Sequence, residues 1–465
     1  MSGAPLISGD DLDAPLAWRA GRALSRRRYL ADVQTLAARL PDAGPMLNLT
    51  ADRYRFAVGL GAALLRGQNN LLPPNHTADT VVRLLELFPT TYGLTDSAQA
   101  DGRLPMVRHP QETAGDATDA SPIEPPLIAD GALAAQVLTS GSTGAPLPHA
   151  KHWGLLGRNA RAGAQRLAEQ MGRHTLAGVT LVGTVPAQHM YGFESTVLIA
   201  LLGGAAFDTE RPFYPADIAA ALARAPRPRM LVTTPFHLKT LLDSGVALPA
   251  IDLTLCATAP LSPQLAARAE SRLGAPLLEI YGCTEAGQVA TRRTTAGAEW
   301  RTFDGLCLTG NGAESIVQGG HVQQPTPLAD VLEVIDARTF RLLGRSNDLI
   351  NIAGKRSSLS HLNYHLNAIA GVHDGAFWLP PDDSAGSVVR PVAFVVAPGL
   401  PTAELHARVV AALRQRVDAA FLPRRVVAVA SLPREPGTGK LPAGPFAAWA
   451  EQALASAARG PTTAG

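Results

Sequence analysis

Cysteine is scarce in this 465-residue sequence, which has three and no C-x-x-C pair. An odd, widely spaced set indicates neither a disulfide framework nor a zinc site. No apolar run approaches the roughly 18 residues that would cross a bilayer. The opening stretch "MSGAPLISGDDLDAPLAW" has no basic segment followed by an apolar one, so we expect no secretory signal. These absences favour a cytoplasmic enzyme without membrane insertion.

A dominant charge is also missing, because 41 basic residues face 39 acidic ones. Such a balance gives no overall field for binding nucleic acid. The length exceeds that of one ordinary core and predicts two or three domains. No G-x-x-x-x-G-K-[ST] loop occurs anywhere in the chain, so a Walker-type phosphate site is excluded.

A different Gly-rich loop, "TSGSTGAP", follows an apolar strand-like run. Its glycines allow backbone amides to turn inward, and its hydroxyls add donors, so the loop is suited to holding an anion. A flexible connector is the alternative for such a loop taken alone. The residues concerned are Thr139, Ser140, Gly141, Ser142, Thr143 and Gly144.

Two further segments carry polar groups in useful places. "EIYGCTEAG" offers an aromatic ring at Tyr281 for stacking a base, a hydroxyl at Thr284 for phosphate and a carboxylate at Glu285 for Mg²⁺. "PREPGTGKLP" presents Lys440 on a Pro/Gly-rich loop. Each segment is a weak signal alone, and their order along the chain is what makes them informative.

Alternating strand and helix patterns beyond residue 178 predict an α/β fold with mainly parallel sheet. From residue 328 the pattern changes to a hairpin and then to a small α+β unit. A helix is predicted over 50–66, with Thr50 or Asp52 as its N-cap. Its "GLGAAL" imitates part of a dinucleotide fingerprint, but no strand is expected before it, so we interpret its glycines as packing residues.

Taken in order, six segments resemble the adenylate-forming (AMP-binding) ligases, which include acyl- and aryl-CoA synthetases. "TSGSTGAP" resembles their phosphate loop, "VPAQHMYGF" the acid-pocket segment and "YGCTEAG" the adenine–magnesium segment. "LADVLEV" resembles the ribose-binding segment, "GRSNDLINIAGKR" the interdomain hinge and "PREPGTGKLP" the lysine loop. The resemblance implies a large N-terminal αβ sandwich-type domain over 1–344, a hinge over 345–348 and a small mobile α+β domain over 349–465.

The resemblance also implies a role for each matching residue. The six residues of the phosphate loop would hold the β,γ-phosphates, Tyr281 and Gly282 would lie against adenine, and Thr284 near the α-phosphate. Glu285 would bind Mg²⁺, Asp330 and Arg345 the ribose, and Lys440 both the carboxylate and the α-phosphate. The acid-pocket residues would be His189, Tyr191 and Gly192, and the hinge residue Asn347.

The implied reaction joins a carboxylic acid to ATP, giving an acyl-adenylate and pyrophosphate, and then moves the acyl group to a thiol. The acceptor is CoA or the phosphopantetheine of an acyl carrier protein, with a slight preference for the carrier protein. The segment "HMYGFES" suits an aromatic or medium-length apolar acid. A catalytically silent nucleotide-binding homologue and an ordinary phosphotransferase are the alternatives.

Two local features complicate this interpretation. The family's phosphate loop usually continues to a lysine where this sequence has Leu147, and Lys151 is the candidate replacement. Arg224, Arg227 and Arg229 are expected to form an exposed basic cluster, either solvated or in contact with CoA phosphates or an acidic carrier protein.

Overall fold

The computed structural model describes residues 2–9, 11–97, 103–110, 124–140, 146–310, 314–345, 349–352, 355–380, 390–435 and 441–458. In these ranges the helices are α1 (Arg26–Ala37), α2 (Arg53–Leu65), α3 (Ala78–Leu87), α4 (Trp153–Gln170), α5 (Met190–Gly192), α6 (Ile199–Gly203), α7 (Pro215–Arg224), α8 (Pro235–Asp243), α9 (Pro263–Leu273), α10 (Leu359–Asn367), α11 (Thr402–Arg414) and α12 (Ala443–Ala458). A π-helical turn, Phe193–Leu198, joins α5 to α6, and a 3₁₀ turn spans Ala419–Phe421.

The strands as far as residue 283 are β1 (Gly3–Pro5), β2 (Pro15–Arg19), β3 (Arg22–Ser25), β4 (Met46–Asn48), β5 (Asn70–Leu72), β6 (Tyr92–Thr95), β7 (Met106–Arg108), β8 (Leu127–Ala129), β9 (Leu133–Ser140), β10 (Pro146–His152), β11 (Thr180–Gly183), β12 (Ala206–Asp208), β13 (Arg229–Thr233), β14 (Leu253–Cys256) and β15 (Leu277–Cys283). The later strands are β16 (Gly287–Arg292), β17 (Glu299–Thr302), β18 (Leu306–Gly310), β19 (Ser315–Gly319), β20 (Val322–Leu328), β21 (Asp330–Val334), β22 (Thr339–Arg345), β23 (Leu349–Ile352), β24 (Lys355–Ser358), β25 (Asp374–Trp378), β26 (Val392–Val396) and β27 (Arg425–Ala428).

The largest sheet has the order β21-β22-β17-β16-β15-β14-β13-β11-β12-β2-β3. Its inner run from β2 through β12, β11, β13 and β14 to β15 is parallel, and both of its flanks are antiparallel. A second sheet, β10-β9-β5-β4-β6-β7, is parallel except for the β9–β10 hairpin. The predicted α/β fold with mainly parallel sheets is confirmed in this part of the chain.

The sheet topology places the sequence motifs. β9 ends at Ser140, where the Gly-rich loop begins, and β15 runs into the "YGCTEAG" segment. The segment that contains His189 follows β11. Open α/β sheets bind their ligands outside the carboxyl ends of parallel strands, so all three motifs occupy the edges where a site is expected.

Helix α2 confirms the predicted helix and one of its two candidate caps. Asp52 is the N-cap, and its Oδ1 accepts a hydrogen bond from the Arg55 amide at 2.9 Å. The expectation that no strand precedes this helix is wrong, because β4 does. The glycines nevertheless lie inside the buried helix, where a Cβ at Gly59 or Gly61 would approach neighbouring side chains to 2.6 Å. Close packing, as predicted, is therefore their role.

The expectation of an exposed basic cluster is confirmed for Arg224 and Arg227, which are exposed, and is wrong for Arg229. The Arg229 side chain is buried, and its guanidinium donates to the carbonyls of Ala225 and Ala250, each at 2.9 Å. Arg227 pairs with Asp252 at 2.6 Å. Because the segment lies between α7 and a parallel strand, the arginines satisfy local carbonyl and carboxylate groups that the sequence pattern did not reveal.

From residue 328 onward the described elements include the hairpin, strands and helices that the sequence pattern predicts. The predicted hairpin is β21–β22, the predicted helices are α10, α11 and α12, and β25 pairs with β26. Two hydrophobic clusters consist only of residues from 350 onward. The hydroxyl of Ser358, at the start of α10, donates to the Leu343 carbonyl, and it fills the space that a Cβ at Gly344 would occupy. Of the helices described here, none is long and apolar enough to cross a membrane.

Candidate active site

The residues predicted for adenine and ribose come together in the structure. Tyr281 is buried at the end of β15, with its ring edge-on to Trp300 and Phe340. Its hydroxyl donates to Oδ2 of Asp330 at 2.8 Å. Asp330 is the first residue of β21 and lies opposite Arg345 in the antiparallel register. The three predicted positions are therefore neighbours although they are 64 residues apart at the extremes.

Gly282 marks a bulge between β15 and β16. The register shifts between Tyr281 and Gly282, and a Cβ at Gly282 would overlap the carbonyl oxygen of Gly287. Only glycine allows the strands to approach this closely. The bulge re-aims the chain that follows and so directs Thr284 and Glu285 away from the sheet.

Glu285 lies next to the β9–β10 hairpin. Its carboxylate is half-exposed, and its Oε1 is 4.0 Å from Nε2 of His149. The same imidazole nitrogen is 3.0 Å from Oγ1 of Thr139, the first residue of the predicted phosphate loop. Ser140 ends β9 beside it. The described end of the phosphate loop and the predicted magnesium carboxylate are thus joined through His149.

Lys151 makes a second link between the hairpin and this segment. Its ammonium is buried and donates to the carbonyl oxygens of Thr284 and, at 3.3 Å, Glu285. Burial lowers the pKa of Lys151, while the charges of Glu194 and Glu285 act to raise it. Leu147, in the usual lysine position, is exposed. The candidate replacement lysine therefore holds the backbone of the "YGCTEAG" segment.

The three residues predicted for the acid pocket have different surroundings. The hydroxyl of Tyr191 donates to the carbonyls of Leu255 at 3.0 Å and Thr233 at 3.2 Å, so it bridges the ends of β13 and β14. Gly192 is packed so closely that a Cβ would overlap the Pro186 carbonyl. The ring of His189 lies 3.0 Å from the carbonyl of Pro74.

The other predicted site residues fall outside the described residues. They are Gly141, Ser142, Thr143, Gly144, Asn347 and Lys440. Their roles stay predictions.

The sequence analysis missed a pocket of about 210 Å³ beside Glu285. It lies between β10, α4, α5 with the π-helical turn, the Glu285–Gly287 segment and the start of β20. Its polar lining includes Lys151, Asn159, Glu194 and His321. A signal was present: in a strand, alternate residues share a face, which puts His149 and Lys151 side by side. Glu194 is an isolated charge in the apolar stretch "FESTVLIALL".

Glu194 is a buried carboxyl whose neighbours stabilise its charge. It accepts hydrogen bonds from the Asn159 side-chain amide and from the backbone of Gln288. Burial nevertheless raises the pKa of Glu194 to about 7, against the opposing effect of the Lys151 charge. Burial also lowers the pKa of His321 to about 4, so its imidazole is neutral at pH 7. The Nε2 atom of His321 lies 2.8 Å from the carbonyl oxygen of Gln288.

This buried carboxyl predicts a pH-dependent stability. The native state keeps a proton on Glu194 that the unfolded chain loses near pH 4.5, so the stability contributed by this group falls as pH rises from about 4.5 to about 7. The full difference is about 3 kcal/mol at most. Glu194→Gln should therefore gain melting temperature relative to the wild type between pH 5 and pH 8, measured by thermal denaturation. Glu451→Gln, on exposed α12, serves as the control. A wild-type–variant difference that stays constant with pH would contradict the assignment.

The Tyr281–Asp330 hydrogen bond predicts an effect on ATP binding. Tyr281→Phe keeps the ring but leaves Asp330 without this donor. A hydrogen bond to a charged group contributes about 1.5 kcal/mol or more, so KM for ATP should rise roughly tenfold. Steady-state kinetics at saturating acid measures it, with Tyr214→Phe, an exposed tyrosine, as the matched control. An unchanged KM would show that Asp330 does not need this donor.

Comparison with known proteins decides the family. The model of the family described as "AMP-binding enzyme" matches residues 17–344 of this chain. The chain belongs to the AMP-binding enzyme family. This AMP-binding enzyme is 31% identical over 289 residues to a 4-coumarate–CoA ligase of Rhodobacter capsulatus, an alignment that covers 62% of this chain and 69% of the relative. A 4-coumarate–CoA ligase of Halorhodospira halophila is 29% identical over 255 residues, covering 52% of this chain and 59% of that relative.

Solved structures show the same fold over nearly the whole AMP-binding enzyme. The anthranilate CoA ligase AuaEII, in complex with anthranoyl-AMP, superposes with a TM-score of 0.73 at 14% identity, covering 96% of this chain and 95% of that one. The o-succinylbenzoate CoA synthetase of Bacillus subtilis, with its acyl-adenylate, gives a TM-score of 0.74 at 16% identity, with 95% and 97% covered. The predicted superfamily and the predicted enzyme class, an AMP-forming acid–thiol ligase, are confirmed.

Proposed function

We propose that this chain catalyses the attack of a small aromatic carboxylate on the α-phosphate of ATP, which releases pyrophosphate and gives an acyl-adenylate, and that it then transfers the acyl group to the thiol of CoA with release of AMP. The contact between Tyr281 and Asp330 is the observation that carries the proposal. It links the residue predicted to contact adenine with the residue predicted to bind ribose, at the edge of the sheet where Glu285 and the end of β9 also lie. The family membership supports the ATP-dependent, AMP-forming chemistry.

The nucleotide is positioned by groups on several strands. Tyr281 provides an aromatic edge for the base, Asp330 a carboxylate for the ribose hydroxyls, and the Gly-rich loop after β9 donors for the phosphates. Because the tyrosine hydroxyl already holds Asp330, the carboxylate is oriented before the nucleotide arrives. Such preorganisation reduces the entropy lost on binding.

The protein also provides a position for magnesium. Glu285 offers one half-exposed carboxylate beside the end of the phosphate loop, and magnesium prefers one or two carboxylates together with substrate phosphates. The residues present fit such an ion, and Glu285 would hold it. Bound there, Mg²⁺ would neutralise charge on the phosphates. His149, 4.0 Å away, has its pKa lowered mainly by burial, which favours a neutral ring beside the ion.

The carboxylate of the acid attacks the α-phosphate, which brings two anions together. Lys440, on its Pro/Gly-rich loop, supplies the cation that stabilises this encounter. The sequence-predicted domain over 349–465 would then move about the 345–348 segment, withdrawing Lys440 and admitting the thiol. The two hydrophobic clusters that consist only of residues from 350 onward support a separate unit of this kind.

CoA is favoured over a carrier protein as the acceptor. The curated relatives are named CoA ligases. The size of the acid is a separate question. The pocket beside Glu285 has a volume of about 210 Å³, below the roughly 300–1,000 Å³ of sites for drug-sized ligands, and this favours a small acid.

Acid-dependent exchange of labelled pyrophosphate into ATP, without thiol, tests the proposal over a panel of aromatic and aliphatic acids. Exchange with aromatic acids, followed by thioester formation when CoA is added, is the expected result. ADP formation would indicate a phosphotransferase. ATP binding without exchange would favour the catalytically silent homologue. Thioester formation only on the phosphopantetheine of a carrier protein would overturn the choice of CoA.

A further inference from the structure

One face of the antiparallel part of the large sheet carries a row of four large side chains. In the strand register Glu279 lies opposite Arg292. Arg292 comes beside Trp300, and Trp300 lies opposite Phe340. The row therefore crosses β15, β16, β17 and β22. It starts two residues before Tyr281, and alternate residues of a strand share a face, so Tyr281 lies on the same face as the row.

The row begins with a buried ion pair. Nε of Arg292 donates to Oε2 of Glu279 at 2.9 Å, and a second guanidinium N–H donates to the same oxygen. The two side chains are 10% and 5% exposed, respectively. The hydroxyl of Thr294 also donates to this carboxylate. Because Arg292 is bonded through more than one N–H, its planar guanidinium has a defined orientation.

The same guanidinium lies over the indole of Trp300. Its central carbon is 4.5 Å from the centre of the Trp300 ring, within the range of a cation–π contact. The indole also stacks on Phe340, with 6.3 Å between the ring centroids and 14° between the planes. Nε1 of Trp300 is buried and has no hydrogen-bond partner among the described residues. The orientation of this indole therefore depends on its contacts with Arg292 and Phe340.

Tyr281 lies against this stack. Its ring is edge-on to Trp300 and Phe340, with 5.9 and 5.6 Å between the centroids. The residue opposite Tyr281 in β16 is Ala290, whose small side chain leaves room for the tyrosine ring to reach the neighbouring row. A turned indole would move the ring of Tyr281, and with it the hydroxyl that donates to Asp330.

We propose that Arg292 is a positioning residue for the nucleotide. Anchored by Glu279, its guanidinium fixes the Trp300 indole. The indole in turn places Tyr281 for the base and Asp330 for the ribose. The inference rests on the proposed function, because it takes Tyr281 and Asp330 as the residues that bind the nucleoside. Arg292 acts through Trp300 rather than by contact with ATP.

The test is the Kd of Arg292→Lys for ATP with Mg²⁺, measured by calorimetry without acid or thiol. Lysine keeps the charge beside Glu279 but loses the planar guanidinium, so the change is not conservative at a stacked site. The Kd should rise about fivefold or more. The KM of the acid in pyrophosphate exchange, at saturating ATP, should stay within about twofold. Arg293→Lys, at an exposed neighbour that pairs with Glu270 at 2.9 Å, is the matched control and should bind ATP like the wild type.

A double-mutant cycle shows whether Arg292 acts through Trp300. In a Trp300→Leu background, which lacks the indole, Arg292→Lys should change the Kd for ATP by less than about twofold, because both substitutions interrupt the same contact. Additive effects of the two substitutions would overturn the inference.

The remaining outcomes separate the inference from the proposed function. An unchanged Kd in Arg292→Lys would overturn the inference, and so would an equal rise in the Kd for ATP and the KM of the acid, since a general loss of structure affects both. If the wild type binds ATP without exchange, the proposed function fails and the Kd values still decide the inference. No ATP binding by the wild type would overturn both. If Arg292→Lys does not fold, Arg292→Met/Glu279→Gln, which leaves no unpaired charge in this pair, takes its place with the same expected rise in Kd.

Discussion

Lys440→Ala should slow the adenylation step by roughly 10²–10³-fold, the size expected for one lost electrostatic contact at the point where charge peaks. The reacting carboxylate and the α-phosphate are both anionic, and without the ammonium their approach is opposed by repulsion. Pyrophosphate exchange measures the step directly. Lys239→Ala, an exposed lysine on α8 that pairs with Asp243, is the matched control and should exchange at the wild-type rate.

A second assay separates the role of Lys440 in adenylation from any role in thioester formation. Preformed acyl-adenylate, mixed with enzyme and CoA, bypasses the first step. Lys440→Ala should transfer the acyl group from this intermediate far better than its exchange rate suggests. Equal losses in both assays would refute a role confined to adenylation, and exchange at the wild-type rate would remove Lys440 from the site.

Lys151→Met should destabilise the protein by about 1.5–3 kcal/mol, the range for the loss of a buried hydrogen bond to a charged group. The buried ammonium holds the carbonyls of Thr284 and Glu285 and lies near the buried Glu194. Methionine keeps the length of the side chain but offers no donor. Thermal denaturation should show the loss as a lower melting temperature, with Lys239→Met as the matched surface control.

Nucleotide binding should weaken in the same variant, because the Thr284–Glu285 backbone would lose its link to the hairpin that carries Thr139. Titration with ATP and Mg²⁺ below the melting transition measures this effect separately from stability. At pH 8, above the pKa of about 7 of Glu194, the double variant Lys151→Met/Glu194→Gln should recover part of the lost stability, since it also removes an acid that would be ionised without the neighbouring lysine charge. A single variant as stable as the wild type would show that Lys151 does not hold the segment.

The sequence predicted those parts of the site that lie within single motifs. Tyr281 and Thr139 lie near the ends of the strands β15 and β9, and Glu285 follows β15, so short-range pattern is enough to place them at the sheet edge. The Tyr281–Asp330 contact was not predicted, although both residues were, because the β21–β22 hairpin folds back onto β17 and so brings distant residues together.

The pocket beside Glu285 could not be predicted from the sequence pattern, because its lining residues also come from distant parts of the chain. Lys151, Asn159 and Glu194 come from β10, α4 and the π-helical turn, and His321 from the turn before β20, and each alone is an ordinary polar residue in the sequence. Their burial depends on tertiary packing, as does the internal pairing of Arg229. A lone charged residue in an apolar stretch, such as Glu194, is the local sequence signal of such burial.

The absence of a side chain at Gly344 allows Ser358 to pack against the end of β22. Ser358 occupies the space that a side chain at 344 would fill, directly before the segment at which the resemblance places the hinge. If the chain rotates about that segment, as the resemblance implies, the Ser358 hydroxyl must first leave this space and lose its hydrogen bond to the Leu343 carbonyl. We therefore expect the fit of Ser358 against Gly344 to influence the lifetime of this arrangement of the two segments, although residue 344 does not contact the substrate.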